Sequence, residues 1–273
     1  MTGARLSRLA SLREAVGRIE TRIENADAAP DSAARRAALG HAAIDAVLGG
    51  GLALGALHEV FAGDGRQGAA ATGFALGLVR RVTQNRRFVL WIAQDFTARE
   101  TGQLAMSGFA ELGLDPRLIV VVRDINAETA LRAASDGLGC NAFGAVVVEL
   151  WGEPRAFDAV ASRKLSFSAT ASGVTALMLR HGARPAVSTA ETRWVVSAAP
   201  SRADTIRRPW GAPLLDAGLV RNRHGQTGRW LMQWNCDEYQ FDEPAHSRPV
   251  AAAPADRPVQ AAARTAQWRR RRA

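Results

Sequence analysis

LHEVFAGDGRQGAAATGFALGLVRRVTQ, residues 57 to 84, decides the fold. Its first six residues are an apolar run of strand character. From Ala69 the period becomes helical, with Ala71, Phe74, Ala75, Leu78, Val79 and Val82 on one face. Between the two, Gly63 and Gly68 have the spacing G-x-x-x-x-G, which in a phosphate-binding loop is followed by Lys and then Ser or Thr. Ala69 and Ala70 stand in those two places. Spacing alone carries little weight, because the pairs Gly50/Gly55, Gly68/Gly73, Gly108/Gly113 and Gly139/Gly144 share it. Only Gly63/Gly68 lies between an apolar strand and a long amphipathic helix, the setting in which N–H groups and the helix dipole face an anion.

The same alternation continues outward. RFVLWIAQ, LIVVV (118 to 122) and AVVVEL (145 to 150) read as strands. A helix follows the first of them to about Leu112, and Asn126 caps another with Leu131, Ala134 and Leu138 on its inner side. AFDAVASRKLSFSATAS reads as a helix, VTALMLRH as a strand, GARPAVSTAETR as a loop and WVVSAAP as a strand, and RWLMQWN closes the fold after the turn-like RNRHGQTG. Short β-branched runs, each followed by a helix, are what parallel strands buried on both faces require. The fold class is therefore α/β, a three-layer domain with a mainly parallel central sheet. One strand ends in Glu149, where phosphate-loop folds keep the carboxylate that holds Mg²⁺ through water.

Four regions follow. Residues 1–25 space Leu6, Leu9, Leu12, Val16, Ile19 and Ile23 as an amphipathic helix; residues 26–40, with Pro30, read as a linker; residues 41–243 form the core. Residues 244–273, rich in Pro, Ala and Arg, lack the large apolar side chains needed to offset ordering entropy and read as a disordered tail. The tail holds seven arginines against one aspartate, so of the chain's net +9 only +3 belongs to everything before it. Its end offers Trp268 for stacking and Arg269, Arg270, Arg271 and Arg272 for phosphates or a partner. Lys164 is the only lysine among 35 basic residues, a bias that base composition explains as readily as a need for guanidinium forks. Cys140 and Cys236 lack metal-ligand spacing and read as buried small hydrophobes. The five histidines are scattered, His58 reads as a satisfied core residue, and no metal site is expected. No window approaches the roughly 18 apolar residues of a membrane helix, and the first residues lack a secretory apolar core, so a cytoplasmic protein is expected.

GGGLALGALHEVFAGDGRQGAA resembles the RecA pattern of a Gly-Gly-Leu turn leading through a strand into the phosphate loop. Residues 49 to 61 follow that pattern; Ala69 and Ala70 depart from it. RNRHGQTG (221 to 228) resembles a turn of RecA-like helicases and RadA whose basic residues reach a neighbouring subunit's nucleotide. That likeness marks Arg221 and Arg223 as subunit-bridging candidates, although a Gly-rich basic turn is equally a solvated loop. On IDAVLGGGLALGALHEVF, LWIAQD…ELGLDPRLIVV and LVRNRHGQTGRWLMQWNCDEYQF, residues 5 to 243 are similar to the ImuA family, RecA-like accessory proteins of the damage-induced mutagenesis cassette. The resemblance implies a RecA-like P-loop-type fold, association with the nucleoid on DNA damage, and three partners: RecA, an ImuB-like protein and an error-prone DnaE-type polymerase. The family also resembles SulA, which leaves division inhibition as an alternative. The loop GARPAVSTAETR falls where RecA-like proteins put a DNA-binding loop, with Arg184 and Arg193 offset by Glu191, so any DNA contact there is weak.

A phosphate loop's Lys brings charge to the β and γ phosphates, and its hydroxyl ligates Mg²⁺. Ala69 and Ala70 do neither, which leaves backbone N–H groups and Arg66 for weak anion binding. Gln94 and Asp95 lie near where RecA-like ATPases keep a water-activating Glu. The expectation is an adaptor without catalytic residues or cofactor, and a nucleotide-dependent ATPase regulator is the enzymatic alternative. The N-terminal helix would dock on RecA, on a second copy or on its own core.

Overall fold

A computed structural model describes residues 36–84, 87–124, 126–201 and 211–244. The expected N-terminal helix, most of the linker and nearly all of the tail, including Trp268 and Arg269 to Arg272, lie outside the described residues. Elements run in the order β1 (Arg36–Ala37), α1 (Ala42–Val47), β2 (Leu52–Ala53), β3 (Leu57–Ala62), α2 (Gly68–Thr83), β4 (Phe88–Gln94), α3 (Asp95–Thr101), α4 (Met106–Glu111) and β5 (Ile119–Asp124). They continue with α5 (Ala127–Leu138), β6 (Phe143–Trp151), α6 (Ala159–Ser172), β7 (Thr175–His181), β8 (Thr192–Ala198), β9 (Leu214–Asn222), β10 (Gly228–Asn235) and β11 (Gln240–Asp242). The protein is α/β, built on one nine-stranded sheet of order β11-β10-β9-β8-β3-β7-β6-β4-β5. The six strands from β8 to β5 pair in parallel; β9, β10 and β11 extend the sheet antiparallel.

Strand alternation sorts the core onto the two faces of the sheet. Val60, Trp91, Val147, Leu179 and Trp194 pack with Phe74, Ala75, Leu78 and Val79 of α2. Leu57, Ile92, Val146, Val148 and Met178 pack with Ala130, Leu131 and Ala134 of α5 and with Leu165 and Ala169 of α6. Both central strands β3 and β7 are buried throughout, as their apolar runs require. Asn126 accepts from the Thr129 N–H as the expected cap of α5.

Several expectations are corrected. Residues 36 to 40 are not linker: β1 pairs with β2, Leu39 is fully buried, and the Leu39 and Gly40 N–H groups donate to the Asp45 carboxylate. This pairing explains the glycine run before the strand that leads into the Gly63–Gly68 loop. At Gly51, φ is +127° and a Cβ would lie 2.2 Å from the Ala37 carbonyl oxygen, so only glycine lets the two backbones meet. The helix expected to reach Leu112 breaks at Gly102, φ +90°, into α3 and α4. Ile119 to Val122 of LIVVV lie in an edge strand that leaves Val120 and Val121 exposed rather than buried on both faces, and Leu118 ends the short 3-10 turn before it. Strand β9 is unexpected, because Asp216, Gly218 and Arg221 interrupt its apolar run; its period-two burial of Leu215, Ala217 and Leu219 is nonetheless plain. Cys140 is exposed and Cys236 half-buried, against the expectation that both are buried.

His58 is the core residue expected, with a defined proton arrangement. Its Nε2 lies 2.8 Å from the Ala53 carbonyl and so carries the hydrogen, leaving Nδ1 to accept from the Thr192 hydroxyl at 2.8 Å. Thr192 Oγ1 in turn accepts from Trp194 Nε1–H. The neutral ring therefore joins β2, β3 and β8 in one satisfied chain of hydrogen bonds. Burial, the largest cause, lowers its pKa from 6.5 to about 4, with the Arg36 cation adding to the shift and the Ala53 carbonyl opposing it. Between these two values the unfolded chain binds a proton that the folded chain refuses, so stability is complete above pH 6.5 and falls as pH drops towards 4. The loss amounts to about 3 kcal/mol. Urea denaturation from pH 7 to pH 4 should show that extra slope in the native protein relative to His58→Gln, and parallel curves would refute it.

Candidate functional site

The loop GDGRQ, residues 63 to 67, leaves the buried C-terminal end of β3 and enters α2, the longest described helix at sixteen residues. Strand β3 lies between β7 and β8, and the carboxyl ends of parallel strands at such a reversal of connectivity form the usual crevice of an open α/β sheet. The Gly63 N–H donates to the Val196 carbonyl at 2.8 Å, and a Cβ on Gly63 would strike Ser197 Oγ at 2.1 Å. The Gln67 side chain accepts from the Ala198 N–H, and Asp64 Oδ1 accepts from the Arg66 N–H. The loop is thus tied to β8, with Arg66 exposed.

Helix α2 begins with no side-chain cap and no acid in its first turn, so the N–H groups of Gly68, Ala69 and Ala70 lack a helical partner. Ala69 is exposed and Ala70 half-buried against the core. Both present methyl groups where a cation and a metal-binding hydroxyl would be needed for phosphoryl transfer.

Glu149 is the more informative residue. In β6 it shares a face with Val147, Trp91 and His181, because the register sets Ala93 and Leu179 on either side of it and the alternation along each strand carries that face to the other three. It is 3% exposed. One carboxylate oxygen accepts from Trp91 Nε1–H at 2.9 Å, and the other lies 2.9 Å from His181 Nε2. Both oxygens are engaged by the protein's own side chains. The His181 ring stacks nearly parallel on Trp151, whose backbone N–H donates to Gln94 Oε1, and Phe96 meets the Trp151 ring edge-on. His181 Nδ1 has no partner and lies 3.3 Å from where a Cβ on Gly68 would stand, so the ring fills the ground beneath the loop. Asp95 opens α3 and is half-buried.

On the opposite face of β3 lies a second buried network. Glu59 pairs in register with Arg193, which donates from Nε to Glu59 Oε2 at 2.7 Å; Ser188 of the loop before β8 donates to the same oxygen. Arg193 is 8% exposed. It therefore serves the core, and its expectation as a DNA contact is corrected: Glu59, not Glu191, compensates it. Arg180 is buried beside it, with its guanidinium over the rings of Phe61 and Phe157 and one amino group on the Gly152 carbonyl. Burial is the largest influence on Arg180 and lowers its pKa; Glu59 and Glu153 oppose that, and Arg193 adds to it.

Among the remaining basic candidates, Arg184 and Arg223 are exposed. Arg221 is half-buried and donates to the Ala190 carbonyl. Strand β9 runs antiparallel to β8 with Thr192 opposite Asn222, while Val196 neighbours Ala62 at the loop end. Arg221 and Arg223 therefore sit at the far end of the sheet from Arg66, and one chain does not bring them together. Trp91, His181, Glu59 and Arg180 escape sequence reasoning, although charged residues inside the apolar runs LHEVFA and LMLRH signal that each needs a buried partner. Among the described residues no group of His, Cys, Asp and Glu is arranged to hold a metal ion, and no helix is long and apolar enough to cross a membrane. No protein-family model matches the chain, and no curated protein matches it.

Proposed function

We propose that this chain is a RecA-like domain whose phosphate loop has lost its chemistry, and that it works as an adaptor in SOS-induced mutagenesis and translesion DNA synthesis. Its partners in this reading are RecA, an ImuB-like protein and an error-prone DnaE-type polymerase. The observation that carries the loss of chemistry is Glu149: at the position of a metal-holding acid, both oxygens are engaged by Trp91 and His181 beneath a loop that continues into Ala69 and Ala70. Positioned cations and metal supply most of the stabilisation of a phosphoryl-transfer transition state, so losing them together removes turnover. What remains is a rigid scaffold with a P-loop-like strand, loop and helix, and a scaffold of that kind serves by its surfaces. The family assignment rests on the motif resemblances, to which the placement of the loop at the end of a central parallel strand adds support.

The test has two arms. The purified chain is expected to show no ATP hydrolysis above buffer and no saturable binding of a fluorescent ATP analogue; turnover at RecA-like rates would overturn the inert reading, and binding lost in Arg66→Ala would favour a nucleotide-regulated protein. In the second arm, immobilised full-length chain is expected to retain purified RecA or a purified ImuB-like protein. Retention of neither would end the adaptor reading.

A further inference from the structure

We propose that the outer face of α6 is a docking surface for an acidic, amphipathic helical segment of another protein. Val160 is 73% exposed and Phe167 74% exposed, and seven residues apart they lie on one side of the helix. Arg163 and Lys164 stand exposed between them, and Ala159, Thr170 and Ala171 complete the stripe. The fourteen residues of α6 contain no acid. Large apolar side chains on a surface helix normally face the core, but here Leu165 and Ala169 already serve the core from the other side. Val160 and Phe167 are left over.

Beside this stripe a cleft of about 200 Å³ runs between α5 and α6, lined by Leu131, Leu165 and Ala161 and by Arg132, Lys164 and Glu128. Glu128 is the acid that faces it, and it stands 3.9 Å from Arg132 within its own helix. The face as a whole is therefore apolar with a cationic margin of Arg132, Arg163 and Lys164. A helix laid in such a groove presents apolar residues at i, i+3 or i+4, and i+7 to Phe167, Val160 and the cleft, and acids to the three cations.

Charge decides against the chain's own remaining segments. Residues 1–35 carry six arginines against three glutamates and two aspartates, residues 202–210 three arginines against one aspartate, and residues 244–273 seven arginines against one aspartate. None of the three has the net negative charge the face calls for, and neither does a second copy of a chain of net +9. A flat anionic membrane would meet the cations but would leave the concave cleft unfilled. The inference rests on the exposure and charge of α6 and stands apart from the mutagenesis reading.

A displayed library of helical peptides selected on the full-length chain tests it. The enriched peptides are expected to be acidic and amphipathic and to bind, as fluorescent synthetic peptides, about tenfold more weakly to Phe167→Glu and to Arg163→Glu/Lys164→Glu. Both variants should melt as the native protein does, because the altered side chains are exposed. Lysine-for-glutamate versions of the peptides should also lose about tenfold. Enriched peptides that are basic or neutral, or that bind Phe167→Glu unchanged, would overturn the proposal. So would Phe167-dependent dimers in sedimentation, or binding to phosphatidylglycerol vesicles with no peptide selected.

Discussion

Replacing Glu149 by alanine is expected to destabilise the protein by about 3–5 kcal/mol, the cost of removing one partner from a buried, charge-assisted contact. The substitution strands two donors in the core, Trp91 Nε1–H and the His181 ring, neither of which water reaches. It also leaves the space of a carboxymethyl group next to Trp91, which packs edge-on against Phe109. For a domain of this size the melting midpoint should fall by on the order of 10 °C. Glu149→Gln is expected to cost less, since the amide oxygen still accepts from Trp91 while its NH₂ faces the imidazole. A metal-holding acid behaves differently: its neutralisation leaves the apo protein as stable or makes it more so. A Glu149→Ala protein that melts with the native one would therefore restore the metal-site reading of this carboxylate.

Glu59→Ala is expected to cost about 3–5 kcal/mol for a related reason. Glu59 is the carboxylate that Arg193 and Ser188 share, and it is the foremost counter-charge to the buried Arg180. Without it Arg193 remains under the sheet face without its carboxylate partner, and Arg180 keeps only the weaker counter-charge of Glu153. The ring faces of Phe61 and Phe157 hold Arg180 in place but do not neutralise it. Glu59→Ala/Arg193→Ala should be less destabilised than the sum of the two single changes, because removing the pair together removes the stranded charge. Additive losses in urea denaturation would show that the two side chains are not coupled. Amide exchange of Thr189 and Ala190 should quicken in Glu59→Ala, since Ser188 ties that loop to the network.

Much of the architecture is legible along the chain. LHEVFA, AVVVEL and VTALMLRH have no polar face to show to solvent, so they must be inner parallel strands, and α2 between Gly68 and Thr83 follows from a single apolar stripe. Asn126 announces the helix it caps. The misses share a cause. β1 is two residues long and is held by a distant glycine, and β9 alternates with small and polar residues in its outer positions. Neither leaves a strong local pattern, and both are selected by their neighbours in the sheet. The face of α6 with Phe167 is equally hard to read, since a helix apolar on two sides looks like any buried helix until its packing is known.

The candidate site divides in the same way. From the residues alone it follows that the loop between Gly63 and Gly68 joins a strand to a helix, and that Ala69 and Ala70 supply neither charge nor hydroxyl. Strand alternation also tells which residues of one strand share a face. It does not tell which strands are neighbours or how far each is shifted, because those choices are made by contacts between segments far apart in the chain. Register brings Glu149 to His181 and Trp91 on one face of the sheet and Glu59 to Arg193 on the other, and so places a candidate metal acid and a candidate DNA-binding arginine each in a buried polar network of its own.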